Sequence, residues 1–221
     1  MATNRSYNDA CGTGHALDLV GERWALLVVR ELLLGPKRYG QLRTDLPGIS
    51  TNVLAQRLAE LEASNIVRKQ RLPAPAAAEA YGLTDWGLEL EPAVRALGRW
   101  AVRSPAHDRT AHLSPTSFVL SLRTNFDAGL AQDVHARYEL HLGDEVFRVL
   151  IAEGTLSAER GHQSQPDAVI TARPSALAGV VYGGRPLPDA IAAGDVQVEG
   201  DPTSVARLTA VLSLPPLAVE P

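Results

Sequence analysis

Gly35-Pro36-Lys37-Arg38-Tyr39-Gly40-Gln41-Leu42-Arg43, followed by Leu46-Pro47-Gly48-Ile49-Ser50-Thr51-Asn52-Val53-Leu54 and Gln56-Arg57-Leu58-Ala59-Glu60-Leu61-Glu62, decides the fold of the first half. The run encodes a short helix, a turn and a second helix. Arg38 to Asp45 supplies the short helix, and Pro47-Gly48 makes the turn. Ser50 is a natural N-cap, because its hydroxyl can accept from an otherwise unpaired N–H of the first helical turn. The helix that follows runs to about Ser64. Leu54, Leu58 and Leu61 form its core stripe at helical spacing. At ~100° per residue, Asn52, Gln56 and Ala59 fall on the opposite side.

Two amides and a small residue near a helix N-terminus suit a major groove. A side-chain amide can bond two positions on one base edge, and the groove admits a helix. The plainer alternative is that Asn52 and Gln56 only face solvent.

Upstream, helices are expected from Gly12 to Gly21, with Leu17 and Val20 inward, and from about Trp24 to Leu34, where Gly35-Pro36 is a stop signal. Downstream, Val67-Arg68-Lys69-Gln70-Arg71-Leu72 is a strand with three cations. A loop over 73–79 leads to a return strand ending at Tyr81-Gly82-Leu83-Thr84. Thr84 can cap a further helix from Asp85 to about Val102. Trp86, Leu90, Val94, Leu97 and Trp100 share one stripe of that helix, as core or as a dimer interface.

The net charge of −4 hides an asymmetry. Residues 1–104 carry 13 Lys+Arg against 11 Asp+Glu, whereas residues 105–221 carry 8 against 14. Within 20–71 the count is 9 against 5. The positive charge lies where the helix pair and the ribbon lie, as a nucleic-acid footprint requires. No apolar run approaches the ~18 residues of a membrane span, and the polar start, Met1 to Asn8, lacks the apolar segment of a signal peptide. The single cysteine excludes an internal disulfide framework. The expectation is a soluble cytoplasmic protein.

Residues 11–102 resemble the HxlR-type regulators, a branch of the MarR-like winged helix-turn-helix proteins. The resemblance rests on Cys11, Val20-Gly21-Glu22-Arg23-Trp24, Gly35-Pro36-Lys37-Arg38-Tyr39, Leu46-Pro47-Gly48-Ile49-Ser50, Gln56-Arg57-Leu58, and Tyr81-Gly82-Leu83-Thr84 with Gly87. It implies a cytoplasmic homodimer on a short palindromic double-stranded operator, with no membrane association. It carries base contact onto Ser50, Thr51, Asn52 and Gln56. Phosphate contact falls to Arg38, Arg43 and Arg57, and Arg68, Lys69 and Arg71 lie in or beside the wing. Phosphate contacts fix register, and base contacts specify sequence. This chain has Cys11-Gly12 where the family often has Cys-Pro, and its wing tip, Pro73-Ala74-Pro75-Ala76-Ala77-Ala78, is uncharged. Relatives that sense oxidants do so through a cysteine at the Cys11 position. Cys11 is therefore either a redox sensor, any disulfide being intermolecular, or a small buried residue at a helix start.

A linker is expected over 105–115, which contains Pro105, Pro115 and two histidines and shows no apolar period. The domains expected are 1–104, for DNA binding and dimerisation, and 116–221. In the second, Val134, Ala136, Tyr138, Leu140 and Leu142 alternate with His135, Arg137, Glu139 and His141, as in a half-buried strand. Strands also fit 146–152, 154–160, 168–172 and Phe118 to Arg123. Helices fit 175–182, 188–193 and 202–212. The class is a mainly α winged helix-turn-helix domain followed by an α+β domain, its sheet largely antiparallel and covered by helices.

His135 and His141 lie about 20 Å apart along a strand, so within it they hold no common ion, and no metal site is expected. No nucleophile elbow, P-loop or dinucleotide fingerprint is present, so neither catalytic residues nor a cofactor are expected. Gln165-Pro166-Asp167-Ala168-Val169-Ile170, the late strand entering Gly200-Asp201 and the terminal helix resemble the sterol-carrier-protein fold. That resemblance implies an apolar cavity for a small apolar or amphipathic effector. Its expected lining is Phe118, Leu120, Phe126, Tyr138, Leu140, Phe147, Val180, Val181 and Tyr182, the alternative being that these fill a core. The function expected is a ligand-responsive repressor. The alternative is a repressor switched by Cys11, with the second half as an interaction or dimerisation module.

Overall fold

The computed structural model describes residues 6–73 and 77–218. It divides into two compact units, Met1–Val94 and Arg95–Pro221.

The first unit begins with α1 (Gly12–Val20), α2 (Ala25–Leu32), α3 (Tyr39–Asp45) and α4 (Thr51–Ala63). β1 (Val67–Arg71) and β2 (Glu79–Leu83) then pair antiparallel, with Val67 opposite Leu83 and Arg71 opposite Glu79. The wing-tip residues 74–76 lie outside the described residues, so the expectation of an uncharged tip is carried by sequence alone. Val28, Val29 and Leu32 of α2, Leu42 of α3, and Leu54, Leu58 and Leu61 of α4 are buried together with Ile66 and Val67. Each fully buried side chain of this kind contributes about 1.5–3 kcal/mol. Val20 of α1 is buried as expected, but Leu17 is exposed. Gly21 ends α1 with its N–H on the Leu17 carbonyl at 2.9 Å, and a Cβ there would stand 2.4 Å from that oxygen.

The helix expected from Asp85 to Val102 is two helices, α5 (Asp85–Leu88) and α6 (Glu91–Ala101). Thr84 caps α5 as expected, its hydroxyl accepting from the Gly87 N–H at 3.0 Å. The break follows from Pro92. Proline has no N–H to give to the carbonyl of residue 88, and its ring clashes with that carbonyl in a continuous helix, so α6 restarts with Pro92 in its first turn. The division between the units falls inside α6, after Val94.

The second unit contains α7 (Pro115–Asn125), β3 (Ala136–Leu142), β4 (Glu145–Ala152), β5 (Thr155–Arg160), β6 (Ala168–Ala172), α8 (Pro174–Val181), α9 (Leu187–Ala192), β7 (Val196–Gly200) and α10 (Thr203–Ala210). The sheet order is β5-β4-β3-β6-β7. Only β3 and β6 run parallel, and the other pairs are antiparallel. Phe118 to Arg123, expected as a strand, lies in α7. The Ser114 hydroxyl accepts from the Ser117 N–H at 3.0 Å, and Pro115 occupies the first turn. Both are helix-start signals, and a short apolar run does not by itself distinguish helix from strand.

One face of the sheet is the core. Tyr138, Leu140, Phe147, Val149, Ile151 and Ile170 are 0% exposed. α7 packs on β5 and α8, and α10 on β3 and α8. The Tyr138 hydroxyl donates to the Ser204 carbonyl of α10 at 2.7 Å, and burial pushes its pKa up to about 12. The opposite face carries Glu139, His141, Arg148, the exposed Leu150 and Glu159.

Candidate functional site

The residues expected to contact bases lie on one exposed side of α4 and at its N-cap. The Ser50 hydroxyl accepts from the Val53 N–H at 3.3 Å, which starts the helix in the expected register. Ser50, Thr51, Asn52 and Gln56 are all exposed, while Leu54, Leu58 and Leu61 on the other side are buried. The Tyr39 hydroxyl donates to the Thr51 carbonyl at 2.7 Å and so ties α3 to the start of α4. Gln56 Nε2 donates to Glu60 Oε1 at 2.9 Å. That bond lies on the helix surface, where a base edge can replace it.

The expected phosphate-contact residues separate. Arg38 and Arg43 are exposed at the two ends of α3. Arg57 is 7% exposed and engaged with Glu60 at 2.9 Å and Glu22 at 3.4 Å. Its charge is therefore offset within the unit, and it braces α4 against the Val20-Gly21-Glu22-Arg23-Trp24 segment. On the wing, Arg68, Lys69 and Arg71 are exposed. Lys69 pairs with Glu62 at 3.3 Å and stands 5.9 Å from the Tyr81 ring centroid. The Glu62 carboxylate raises the Lys69 pKa.

Lys37 holds these parts together. Its side chain is 0% exposed, and its ammonium contacts Glu31 Oε2 at 2.9 Å and Asp45 Oδ2. Arg30 meets the other Glu31 oxygen at 2.8 Å. The Lys37 backbone also exchanges two 2.9 Å hydrogen bonds with Tyr81 of β2. One residue thus joins α2, α3 and the wing. Nothing local in the Gly35–Tyr39 motif marks this role of Lys37, because a lysine in a basic stretch reads as surface charge.

In the second unit, a cavity of about 580 Å³ is bordered by apolar Val102, Ala106, Ala111, Leu113, Ala178 and Leu214. Its polar edge includes His107, Asp108, Arg109, His112, Ser121, Asn125 and Tyr182. The Tyr182 hydroxyl and Ser121 Oγ are 2.9 Å apart, and burial pushes the tyrosine pKa up to about 12. Of the expected lining residues, Tyr182 alone borders this cavity. Phe118, Tyr138, Leu140 and Phe147 are 0% exposed, and Leu120, Val180 and Val181 are also buried, so these seven fill the core. Phe126 is half-buried and bridged to Leu212. The segment expected as a linker, 105–115, supplies one wall instead.

Residues 19–108 match the family model for the HxlR-like helix-turn-helix, and residues 104–218 match that for the alkyl sulfatase C-terminal domain. The uncharacterized HTH-type transcriptional regulator YvaP of Bacillus subtilis (strain 168) is 36% identical over 86 residues, which span 39% of this chain and 80% of that protein. The chain belongs to the HxlR-like helix-turn-helix family, with an alkyl sulfatase C-terminal domain as its second half. It is thus a transcriptional regulator of the HxlR/MarR type. The HTH-type transcriptional regulator YodB of the same organism is 38% identical over 86 residues, 39% of this chain and 77% of that one. The solved reduced form of YodB from B. subtilis is 34% identical and covers 45% of this chain and 100% of its own, with a TM-score of 0.39.

In this HxlR-like chain, Cys11 is exposed at the N-cap of α1. Hydrogen bonds to Thr13 and Gly14 at the helix start lower the thiol pKa. Asp9 Oδ1 accepts from the Cys11 N–H at 2.9 Å. Of the expected dimer stripe, Trp86, Leu97 and Trp100 are 46%, 49% and 72% exposed, and Leu90 and Val94 are half-buried. A groove of about 210 Å³ beside Trp86 is bordered by Ala16, Leu19, Val20, Ile66 and Leu90. No helix among the described residues is long and apolar enough to cross a membrane.

His135 stands apart on the approach to β3. His162, which carried no expected role, joins Glu139 and His141. Glu139 accepts from His141 and the Gln163 N–H, and its pKa falls to about 2, chiefly through the His141 hydrogen bond. No short-range signal links His162 to β3, because the loop that carries it returns from β5.

Proposed function

We propose that this HxlR-like protein is a cytoplasmic homodimer that represses transcription by binding a palindromic operator through α4. A small amphipathic ligand in the cavity of the second unit releases it. The observation that carries the reading is the exposed Ser50–Gln56 face of a capped helix inside an HxlR-like domain. Arg38, Arg43, Arg68 and Arg71 supply exposed cations for phosphate. Leu97 and Trp100, apolar and exposed on α6, supply the dimer contact. Operator half-sites sit about 34 Å apart, one DNA turn. A ligand weakens binding only if it prefers the protein state in which the two copies of α4 miss that spacing.

The cavity volume falls within the ~300–1,000 Å³ of small-molecule sites, and an apolar lining with a few polar groups is usual for them. Alkyl sulfates, which give the second half's family its name, have an apolar tail and an anionic head. A ligand of that shape suits a lining that combines apolar side chains with Arg109, His107 and His112. The curated relatives are named as regulators, and we read the second half as a binding domain rather than a catalytic one. Octyl sulfate is a suitable probe. Gly179 borders the cavity, and a Cβ built there meets nothing within 4 Å. Gly179→Leu should therefore fill the cavity while keeping α8 intact, since glycine inside a helix already costs about 1 kcal/mol relative to alanine. Native mass spectrometry is expected to show a dimer that takes up octyl sulfate in the wild type. Gly179→Leu should bind it at least about tenfold more weakly, a loss of about 1.4 kcal/mol. Equal uptake by both would place the ligand elsewhere.

A second reading follows from the exposed, acidified Cys11 thiol. A lowered pKa raises the thiolate fraction at neutral pH, and the thiolate is the reactive form. If Cys11 is the switch, oxidant lowers operator affinity in the wild type and leaves Cys11→Ser unchanged. An equal response in both removes Cys11 from control.

A further inference from the structure

On the face of the second-unit sheet away from its core, three metal-ligating side chains converge. Glu139 and His141 are two residues apart on β3 and so share a face, and His162 enters from the loop between β5 and β6. His141 Nε2 lies 2.7 Å and His162 Nδ1 3.2 Å from the same oxygen, Glu139 Oε1. All three ligand atoms lie within 4.8 Å of one another. The imidazole planes are 67° apart with centroids separated by 6.3 Å. The rings therefore meet edge to face, and their nitrogens approach the oxygen from different directions. The other carboxylate oxygen is fixed by the Gln163 N–H at 2.7 Å. Glu139 is nearly buried, with 12% of its side chain exposed, while His162 keeps 77%. The protein closes one side of the cluster and leaves the other to solvent.

We infer that Glu139, His141 and His162 form a binding site for a divalent transition ion of the zinc class. Two imidazoles and a carboxylate are a donor set that such an ion accepts. Calcium and magnesium take six or more oxygens and are poorly served by two nitrogens. An ion at ~2.0–2.2 Å from each donor holds tetrahedral neighbours about 3.4 Å apart. The three donor atoms, within 4.8 Å of one another, lie close to that spacing. The fourth position faces solvent and is filled by water or by a donor from an incoming molecule. Binding clips the 161–167 loop to β3.

The test uses the full-length protein after chelator treatment, titrated with zinc chloride by calorimetry and with cobalt chloride by visible absorption. The expected result is one ion per chain. His162→Ala and His141→Ala should each weaken binding by at least about tenfold, since even the loss of an outer partner of a metal ligand costs 10–100-fold. His135→Ala should match the wild type. His162 is largely exposed on a loop, so its variant keeps the fold, which circular dichroism checks. Wild-type affinity in both His162→Ala and His141→Ala, an equal loss in His135→Ala, or no stoichiometric binding by the wild type would each overturn the site.

Discussion

Replacing both Asn52 and Gln56 by alanine is expected to lower operator affinity by about 2–4 kcal/mol, on the order of 30- to 1,000-fold, because each bidentate contact discriminates by about 1–3 kcal/mol. Both side chains are exposed on α4, and the Ser50 cap and the buried Leu54–Leu58–Leu61 stripe do not involve them. Alanine also raises helix propensity at both positions. Stability should therefore stay within ~0.5 kcal/mol, as for surface substitutions generally. The diagnostic is selectivity. Binding to unrelated duplexes, which depends on phosphates, should change little. Arg43→Ala should do the reverse, weakening all duplexes alike and reducing the salt dependence by about one ion. Equal affinity of the double variant and the wild type for the operator would move sequence reading off this helix.

The second large effect is on stability. Lys37→Met should destabilise the first unit by about 3–5 kcal/mol, the usual cost of removing one partner from a buried ion pair. Methionine fills the lysine stem but leaves the Glu31 and Asp45 carboxylates facing one another without the ammonium between them. Most domains are stable by only ~5–15 kcal/mol, so the variant should show faster hydrogen exchange across α2, α3 and β2 and a lower denaturation midpoint. Arg57→Ala should be milder, because its partners Glu22 and Glu60 are themselves partly solvated and pairs of that kind contribute ~1 kcal/mol or less. A Lys37→Met protein that unfolds within about 1 kcal/mol of the wild type would show that the triad is not what joins the wing to α2 and α3.

These two cases mark what the sequence made legible. Ser50 and the leucine stripe act within one helix, and local rules place them. The paired strands around the wing and the α+β pattern of the second half follow from periods of two and 3.6 in the same way. The family resemblance carries phosphate contact onto Arg57. Its actual partner, Glu22, comes from the turn before α2, and no local period encodes that pairing. Pro92, which splits α5 from α6, is visible in the sequence, but the apolar stripe runs across it. In the second half, Ser114-Pro115 has the composition of a linker, yet the same two residues begin α7. That substitution of helix for strand also moved the cavity. Phe118 and Leu122 turned into the core, and the 105–115 segment came to border the open space. His162 was beyond reach for the same reason as Glu22, since a loop must fold back before it meets Glu139.

The most direct test of the account is selection of duplexes from a random library by the full-length protein at a fixed salt concentration near physiological. The account predicts enrichment of one palindrome with half-site centres about 34 Å apart, lost in the Asn52→Ala, Gln56→Ala double variant. A pool that stays random while still binding, with the same salt dependence in both proteins, would contradict it.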